Sequence, residues 1–151
     1  MWTDFNLHPK VVDIITNQLK FEKPTDVQAE ILPFHNSSYD LLTAAKTGSG
    51  KTLCFVLPII SKIFYSIDQS RVEGNQNTFI DAIVFAPTRD SAIQITESFN
   101  KFKTEDYKEM STISILGGLS KQKQIRLLKR IPNIIVATPG RLWELMDSNM
   151  N

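Results

Sequence analysis

Cysteine and histidine are scarce in this chain of 151 residues, which has a single cysteine, Cys54, and two histidines. An internal disulfide is excluded, and one thiol with two imidazoles cannot assemble a tetrahedral zinc site. Both shortages point to an intracellular protein whose fold needs no metal. An excess of one charge is also missing, because seventeen basic residues face sixteen acidic ones for a net charge of +1. No polybasic arm advertises nucleic-acid binding, so any such binding has to come from local geometry. The stretch MWTDFNLHPK is not a basic-then-apolar signal, and no apolar run approaches the ~18 residues of a membrane span. A soluble chain with no membrane partner is expected, its compartment (nucleus, nucleolus or cytoplasm) left open. Internal repeats and low-complexity tracts are absent as well.

What is present is 42% hydrophobic residues in a length suited to one domain. Val11, Val12, Ile14, Ile15 and Leu19 follow helical spacing behind Pro9, which predicts an amphipathic helix over 8–20. A shorter helix is expected over about 26–34. After Tyr39 the pattern changes to short apolar runs, DLLTAA, FIDAIVFA, STISIL and NIIVAT, each followed by a helical stretch. This alternation predicts an α/β fold with a parallel sheet and helical crossovers. SIDQSRVEGNQN, residues 66–77, is polar and reads as an exposed loop.

In open α/β sheets, ligands gather beyond the carboxyl ends of the strands, where helix N-termini present free N–H groups. The unusual motifs sit at such ends. AAKTGSGKT, residues 44–52, follows an apolar run and opens a long apolar helix. That context lets backbone N–H groups from Thr47 through Gly48, Ser49 and Gly50 cradle phosphates, with Lys51 on the outer phosphates and Thr52 on Mg2+. In FEKPTDVQ, residues 21–28, Thr25 and Gln28 have the spacing of a capping box that needs no ligand. Alternatively, the Gln28 amide presents a donor and an acceptor to an adenine edge while Phe21 stacks on the ring. Local sequence favours the cap, and one side chain is not expected to satisfy both roles fully. APTRD (86–90) and TPGR (138–141) each pair a helix start with an arginine suited to phosphate oxygens, and Gly117–Gly118 permits close backbone approach. On the helix SKQKQIRLLKR, Lys123, Arg126 and Arg130 form a face opposite Ile125, Leu128 and Ile131, explained by solvation. Cys54, one turn into the phosphate-loop helix, reads as a packing residue.

Together these motifs resemble the first RecA-like lobe of a DEAD-box RNA helicase. FEKPTDVQ is similar to that family's Q motif, AAKTGSGKT to its motif I, in which Ala at the first loop position is usual, PTRDSA to motif Ia, Gly117–Gly118 to its GG motif, and TPGR to motif Ib. The resemblance covers nearly the whole chain, with a Q-motif region over 1–38 and a P-loop core over 39–151. It implies a three-layer P-loop NTPase sheet with helices on both faces. It also implies ATP and Mg2+ as cofactors, bound by Phe21, Lys23, Gln28 and Thr47 to Thr52, with Lys51 and Thr52 catalytic and Thr52 on the metal. RNA-backbone contacts are implied for Pro87, Thr88, Arg89, Gly117, Gly118, Thr138, Pro139, Gly140 and Arg141. Trp2 best matches the aromatic that often precedes the Q motif.

Departures from the family pattern carry expectations too. Asp90 and Ser91 stand where Glu and Leu are usual, so weaker support of that helix is expected. Lys20 replaces the glycine before the Q-motif phenylalanine, so a different helix end is expected there. No apolar run ends in Asp-Glu, the acid needed to hold Mg2+ in a hydrolysing P-loop enzyme. Asp81, in FID, falls at the beginning of a strand, toward the opposite edge. The chain accordingly reads as C-terminally truncated, lacking the Asp-Glu-Ala-Asp motif and the second lobe, with an unpaired edge at 40–45 and no useful ATP hydrolysis alone. The parent would unwind RNA or remodel ribonucleoprotein, with a second RecA-like lobe as partner. Residues 122–145 are similar to the nucleolar members that act in large ribosomal subunit assembly, which suggests pre-ribosome association. The rival readings are a non-catalytic nucleotide- and RNA-binding module and a small P-loop kinase. The kinase leaves PTRD and TPGR unexplained.

Overall fold

The computed structural model describes residues 1–74 and 79–147. Its contacts divide the chain into two compact units, Met1–Ser66 and Ile67–Asn151, each described here by itself.

In the first unit, α1 spans Pro9–Asp13, capped by His8, whose Nδ1 accepts from the Lys10 N–H at 3.1 Å. The helix continues as a π-turn over Ile14–Gln18, closed by the Leu19 N–H donating to the Ile14 carbonyl at 2.8 Å. Val11, Ile14 and Ile15 are fully buried, as their spacing predicts. The end of this helix differs from expectation. Lys20 takes the left-handed conformation, φ +59°, that a glycine would supply. Its neighbours dictate this: the Phe21 N–H donates to the Ile15 carbonyl at 3.0 Å, and Trp2 Nε1 donates to the Phe21 carbonyl at 2.8 Å. These tethers outweigh a local cost of about 1–2 kcal/mol for a residue with a Cβ.

The second helix, α2, covers Asp26–Ile31 and is extended by a 3-10 turn over Leu32–Phe34. The strand expected over 40–45 does not form. No described strand pairs with it, and Leu42 is 100% exposed. A run of six residues becomes a strand only when a neighbour takes its backbone hydrogen bonds, whatever its side chains prefer. The long helix α3, Lys51–Glu73, follows the phosphate loop. Its length and composition would allow a membrane span, yet Val56, Leu57, Ile60, Ile63 and Phe64 are fully buried. It is built as a core helix.

The last turns of α3, within the second unit, correct the loop expected over 66–77. Residues 66–73 are helical because Ile67 is buried and Asp68 and Arg71 have partners farther along the chain. Asp68 accepts from the Tyr107 hydroxyl at 2.9 Å, and Arg71 pairs with Glu109 at 2.9 Å and lies over the Tyr107 ring. Residues 75–77 of that expected loop lie outside the described residues.

Three parallel strands follow, β1 Ala82–Phe85, β2 Thr112–Ile115 and β3 Ile134–Ala137, in the order β1-β3-β2. Their connections carry α4 (Arg89–Asn100) and α5 (Lys121–Leu128), and α6 (Pro139–Asp147) follows β3. The central β3 is buried throughout. Ile113, Ile115, Ile135 and Ala137 meet Ile125 and Leu128 of α5 and Leu142 and Leu145 of α6 on one face. The other face receives α4, where Thr96 and Ser114 hydroxyls bond at 2.8 Å. Helices therefore cover both faces of this parallel sheet, the expected α/β layering. Ile131 leaves the predicted apolar face of α5. It lies past the helix end at φ +50° and is 45% exposed.

Two outcomes are expected. Lys20→Gly should raise stability by about 0.5–1 kcal/mol in chemical denaturation, because glycine relieves the positive φ at some entropic cost. Burial first, and the hydrogen bond to Asp68 second, push the Tyr107 phenol from 10.0 up to about 12. A raised folded-state value favours the neutral phenol in the fold, so this contribution is complete below about pH 10 and is lost as the pH rises through about 12. Ultraviolet titration of wild type against Tyr107→Phe should show that late phenolate step disappear.

Candidate nucleotide and nucleic-acid sites

The phosphate loop is shaped by two residues that need no side chain. Gly48 and Gly50 sit at φ +80° and +94°, conformations that turn successive N–H groups to one side ahead of the α3 N-terminus. The loop closes on itself through the Ser49 N–H donating to the Lys46 carbonyl at 3.2 Å. Lys51 Nζ reaches back over it and donates to the carbonyls of Ala45 and Lys46, the latter at 2.7 Å. The amine thus sits over the turn where outer phosphates would compete for it. Ser49 Oγ is a buried hydroxyl with no partner among the described residues. An orphaned hydroxyl in a glycine-shaped loop, with the Lys51 ammonium beside it, fits a phosphate chain.

Gln28 shows how this loop is held. The Thr25–Gln28 capping box forms, with the Thr25 N–H donating to Gln28 Oε1 at 2.9 Å. The same side chain is 3% exposed and donates through Nε2 to the Gly50 carbonyl at 3.0 Å. A Cβ on Gly50 would lie 2.5 Å from that nitrogen. The cap is therefore also the brace of the phosphate loop. A carboxamide has two N–H donors and two acceptor lone pairs, so one of each is left after both bonds. The cap therefore forms, and its carboxamide keeps one donor and one acceptor beyond the two bonds made.

Phe21 is 43% exposed, and Lys23 is exposed. Trp2 is buried against Phe5, edge to face at 6.4 Å, and fixes the Phe21 backbone. Cys54 is buried, and its thiol points at the Val27 and Gly50 carbonyls at 3.8 and 4.0 Å. Burial pushes that thiol up, as befits a packing residue.

In the second unit the register pairs Phe85, Ala137 and Ile115 across the sheet, so the three following loops share its carboxyl edge. After β1, Pro87 is exposed and Thr88 caps α4, accepting from the Ser91 N–H at 3.1 Å and donating to Ser91 Oγ at 2.9 Å. Ser91 thus joins the cap through both its N–H and its hydroxyl. Arg89 is exposed, and its guanidinium lies where a Cβ on Gly118 would be, 2.7 Å from Nη1. Gly117 has open space around it. After β3, Pro139 opens α6, Thr138 precedes it, and Gly140 faces open space.

Arg141 points inward. It is 9% exposed, and its Nη1 donates to Glu144 at 2.7 Å, its Nε to Gln124 Oε1 at 3.3 Å and its Nη2 to the Leu119 carbonyl. Lys121 and Arg141 together hold the Glu144 carboxyl below the usual carboxylate range. Sequence reasoning missed Gln124, because a polar residue among charged neighbours carries no local mark of burial.

Asp81 is confirmed at the amino end of β1, where Asn133 Nδ2 donates to it at 2.9 Å. Among the described residues no cluster of three or more His, Cys, Asp or Glu side chains is arranged for a metal.

The profile described as DEAD/DEAH box helicase matches residues 25–151. The ATP-dependent RNA helicase MAK5 of Candida albicans is 44% identical over 139 residues, which cover 88% of this chain and 17% of that protein. The pre-mRNA-processing ATP-dependent RNA helicase PRP5 of Vanderwaltozyma polyspora is 37% identical over 148 residues, covering 98% of this chain and 16% of that one. The chain thus spans about a sixth of the length of these curated relatives. The structure of Mss116p bound to ssRNA and AMP-PNP matches with a TM-score of 0.80 and 30% identity, covering 97% of this chain and 28% of that one. The fold is that of a DEAD-box RecA-like lobe. With the profile running from the Thr25 cap to the end of the chain, through the phosphate loop and all three strand-end motifs, this chain belongs to the DEAD/DEAH box helicase family.

Proposed function

We propose that residues 1–151 are part of a RecA-like lobe that binds ATP and RNA in an ATP-dependent RNA helicase, paired in the whole protein with a second RecA-like lobe. The observation that carries this reading is the Gln28 bridge between the Thr25 N–H and the Gly50 carbonyl. It couples an amide able to read a base edge to the loop able to hold phosphates. The second N–H and the second lone pair of Gln28 match the donor and acceptor on the adenine edge, and the exposed Phe21 supplies a stacking face. Lys23 lies in the same exposed segment and would add a cation near the nucleotide. Thr47 to Thr52 would hold the phosphates, with Lys51 exchanging its two carbonyl acceptors for phosphate oxygens and Thr52 contributing its hydroxyl to Mg2+. Held there, Mg2+ would supply neutralisation of the charge that develops during phosphoryl transfer.

RNA is assigned to the carboxyl edge of the sheet. Exposed Arg89, the Gly117–Gly118 turn it lies against and the α4 and α6 N-termini offer cationic and N–H donors to a phosphate backbone. Mss116p, whose structure this chain matches, is bound to ssRNA, which supports RNA as the ligand. In the whole protein, closure of two lobes on ATP and RNA would bend one strand and open a duplex locally, with hydrolysis resetting the clamp. Association with ribonucleoprotein, including a pre-ribosome, is part of the proposal and rests on the segment 122–145.

Thermal unfolding with Mg2+ and either ADP or GDP tests the nucleotide site. ADP at a hundredfold excess over Kd should stabilise the fold by about 2.7 kcal/mol. GDP should give a smaller shift, and Gln28→Ala should abolish the difference. Equal shifts with both nucleotides, in wild type and variant alike, would reduce the site to a generic phosphate loop. Gly50→Ala should cost about 1–3 kcal/mol by itself, from the positive φ and the displaced Gln28 amide, and should remove the ADP response.

A further inference from the structure

We propose that Gln124 is a positioning residue for RNA binding, acting through the Gly117–Gly118 turn and Arg141; this rests on the assignment of RNA to the carboxyl edge of the sheet. Gln124 lies in the first turn of α5, between the exposed Lys123 and the half-buried Ile125, and is only 2% exposed. Its Nε2 donates to the Leu116 carbonyl at 2.8 Å, and its Oε1 accepts from Arg141 Nε at 3.3 Å. Arg141 in turn donates to the Leu119 carbonyl and to Glu144, which also pairs with Lys121. The carbonyls on either side of the two glycines are thus held by one connected set of side chains.

That set fixes a turn that is otherwise weakly specified. Gly117 and Gly118 have no side chains to pack, and Gly118 sits at φ +79°. Arg89 lies directly against Gly118, so its guanidinium takes its place from the turn. Loosening Leu116 therefore displaces two groups assigned to RNA, the glycine amides and Arg89, although Gln124 touches neither RNA nor solvent. The role demands a carboxamide. Methionine fills the same volume with neither bond, and glutamate keeps the bond from Arg141 while setting a carboxylate against the Leu116 carbonyl.

The test uses the whole 151-residue chain. For Gln124→Met, the Gly117 and Gly118 amide order parameters should fall from about 0.85 toward 0.6. The Arg141 Nε–H resonance should exchange faster. Affinity for single-stranded oligouridylate should drop about tenfold, the size of one buried hydrogen bond lost. ADP binding should be unchanged. Gln124→Glu should keep the Arg141 resonance protected but still mobilise the glycines, which keeps the test open if the methionine variant folds poorly. Wild-type order parameters and RNA affinity in both variants, or equal loosening of Ile134–Ala137 and the turn, would overturn the proposal. A wild-type chain that fails to bind oligouridylate while the glycines still loosen on substitution would instead overturn the RNA reading itself.

Discussion

A loop that must present its own backbone N–H groups cannot spend them on a ladder, so something else has to hold it still. In this chain that task falls to glutamine carboxamides. Gln28 joins a helix cap to the Gly50 carbonyl, and Gln124 joins the Leu116 carbonyl to Arg141. In each case the amide grips a carbonyl of the loop, so the brace itself takes up none of the loop's N–H groups. Each gripped loop also has a glycine where a Cβ would collide with a functional side chain, Gln28 at Gly50 and Arg89 at Gly118. The glycines let the loop approach, and the carboxamides keep it there. A buried carboxamide costs several kcal/mol unless its bonds are made, so this arrangement forms as a whole or not at all.

What was legible in the sequence was mostly what local chemistry decides. The capping box at Thr25, the Thr88 cap and the glycine pattern of the phosphate loop act within a few residues, and each appears where its residues place it. The three apolar runs that form β1, β2 and β3 found partners, and the alternation of Ile113, Ile115, Ile135 and Ala137 toward one face follows from strand geometry. The run at 40–45 has the same character but no described partner, and its fate shows that a strand is a property of a pair.

The misreadings share one cause, which is distance along the chain. Residues 66–73 looked like a loop because their charges seemed to have only water to meet. Asp68 and Arg71 meet Tyr107 and Glu109, some forty positions away. Lys20 lacks the freedom of glycine, yet Trp2 and Ile15 fix the backbone after it more strongly than its own preference resists. Gln124 stands among lysines and arginines on a helix that reads as solvated, and only the fold reveals that Leu116 and Arg141 converge on it.

The near-neutral composition takes on meaning at this point. With a net charge of +1, the chain has little field to draw a polyanion from afar. One of its two motif arginines, Arg141, is withdrawn into the protein, where its charge faces Glu144 and its N–H groups face a carbonyl and an amide. The donors left on the carboxyl edge are chiefly backbone N–H groups at helix starts and at a glycine turn, together with Arg89. Such donors are short-ranged and directional, so they reward a phosphate backbone only where its spacing matches theirs. With RNA on this edge as proposed, such donors would select for the shape of a strand more than for its charge while the turn between Leu116 and Leu119 stays in place. On the proposed RNA assignment, Arg141 contributes by holding Gln124 and the Leu119 carbonyl and not by reaching the phosphates.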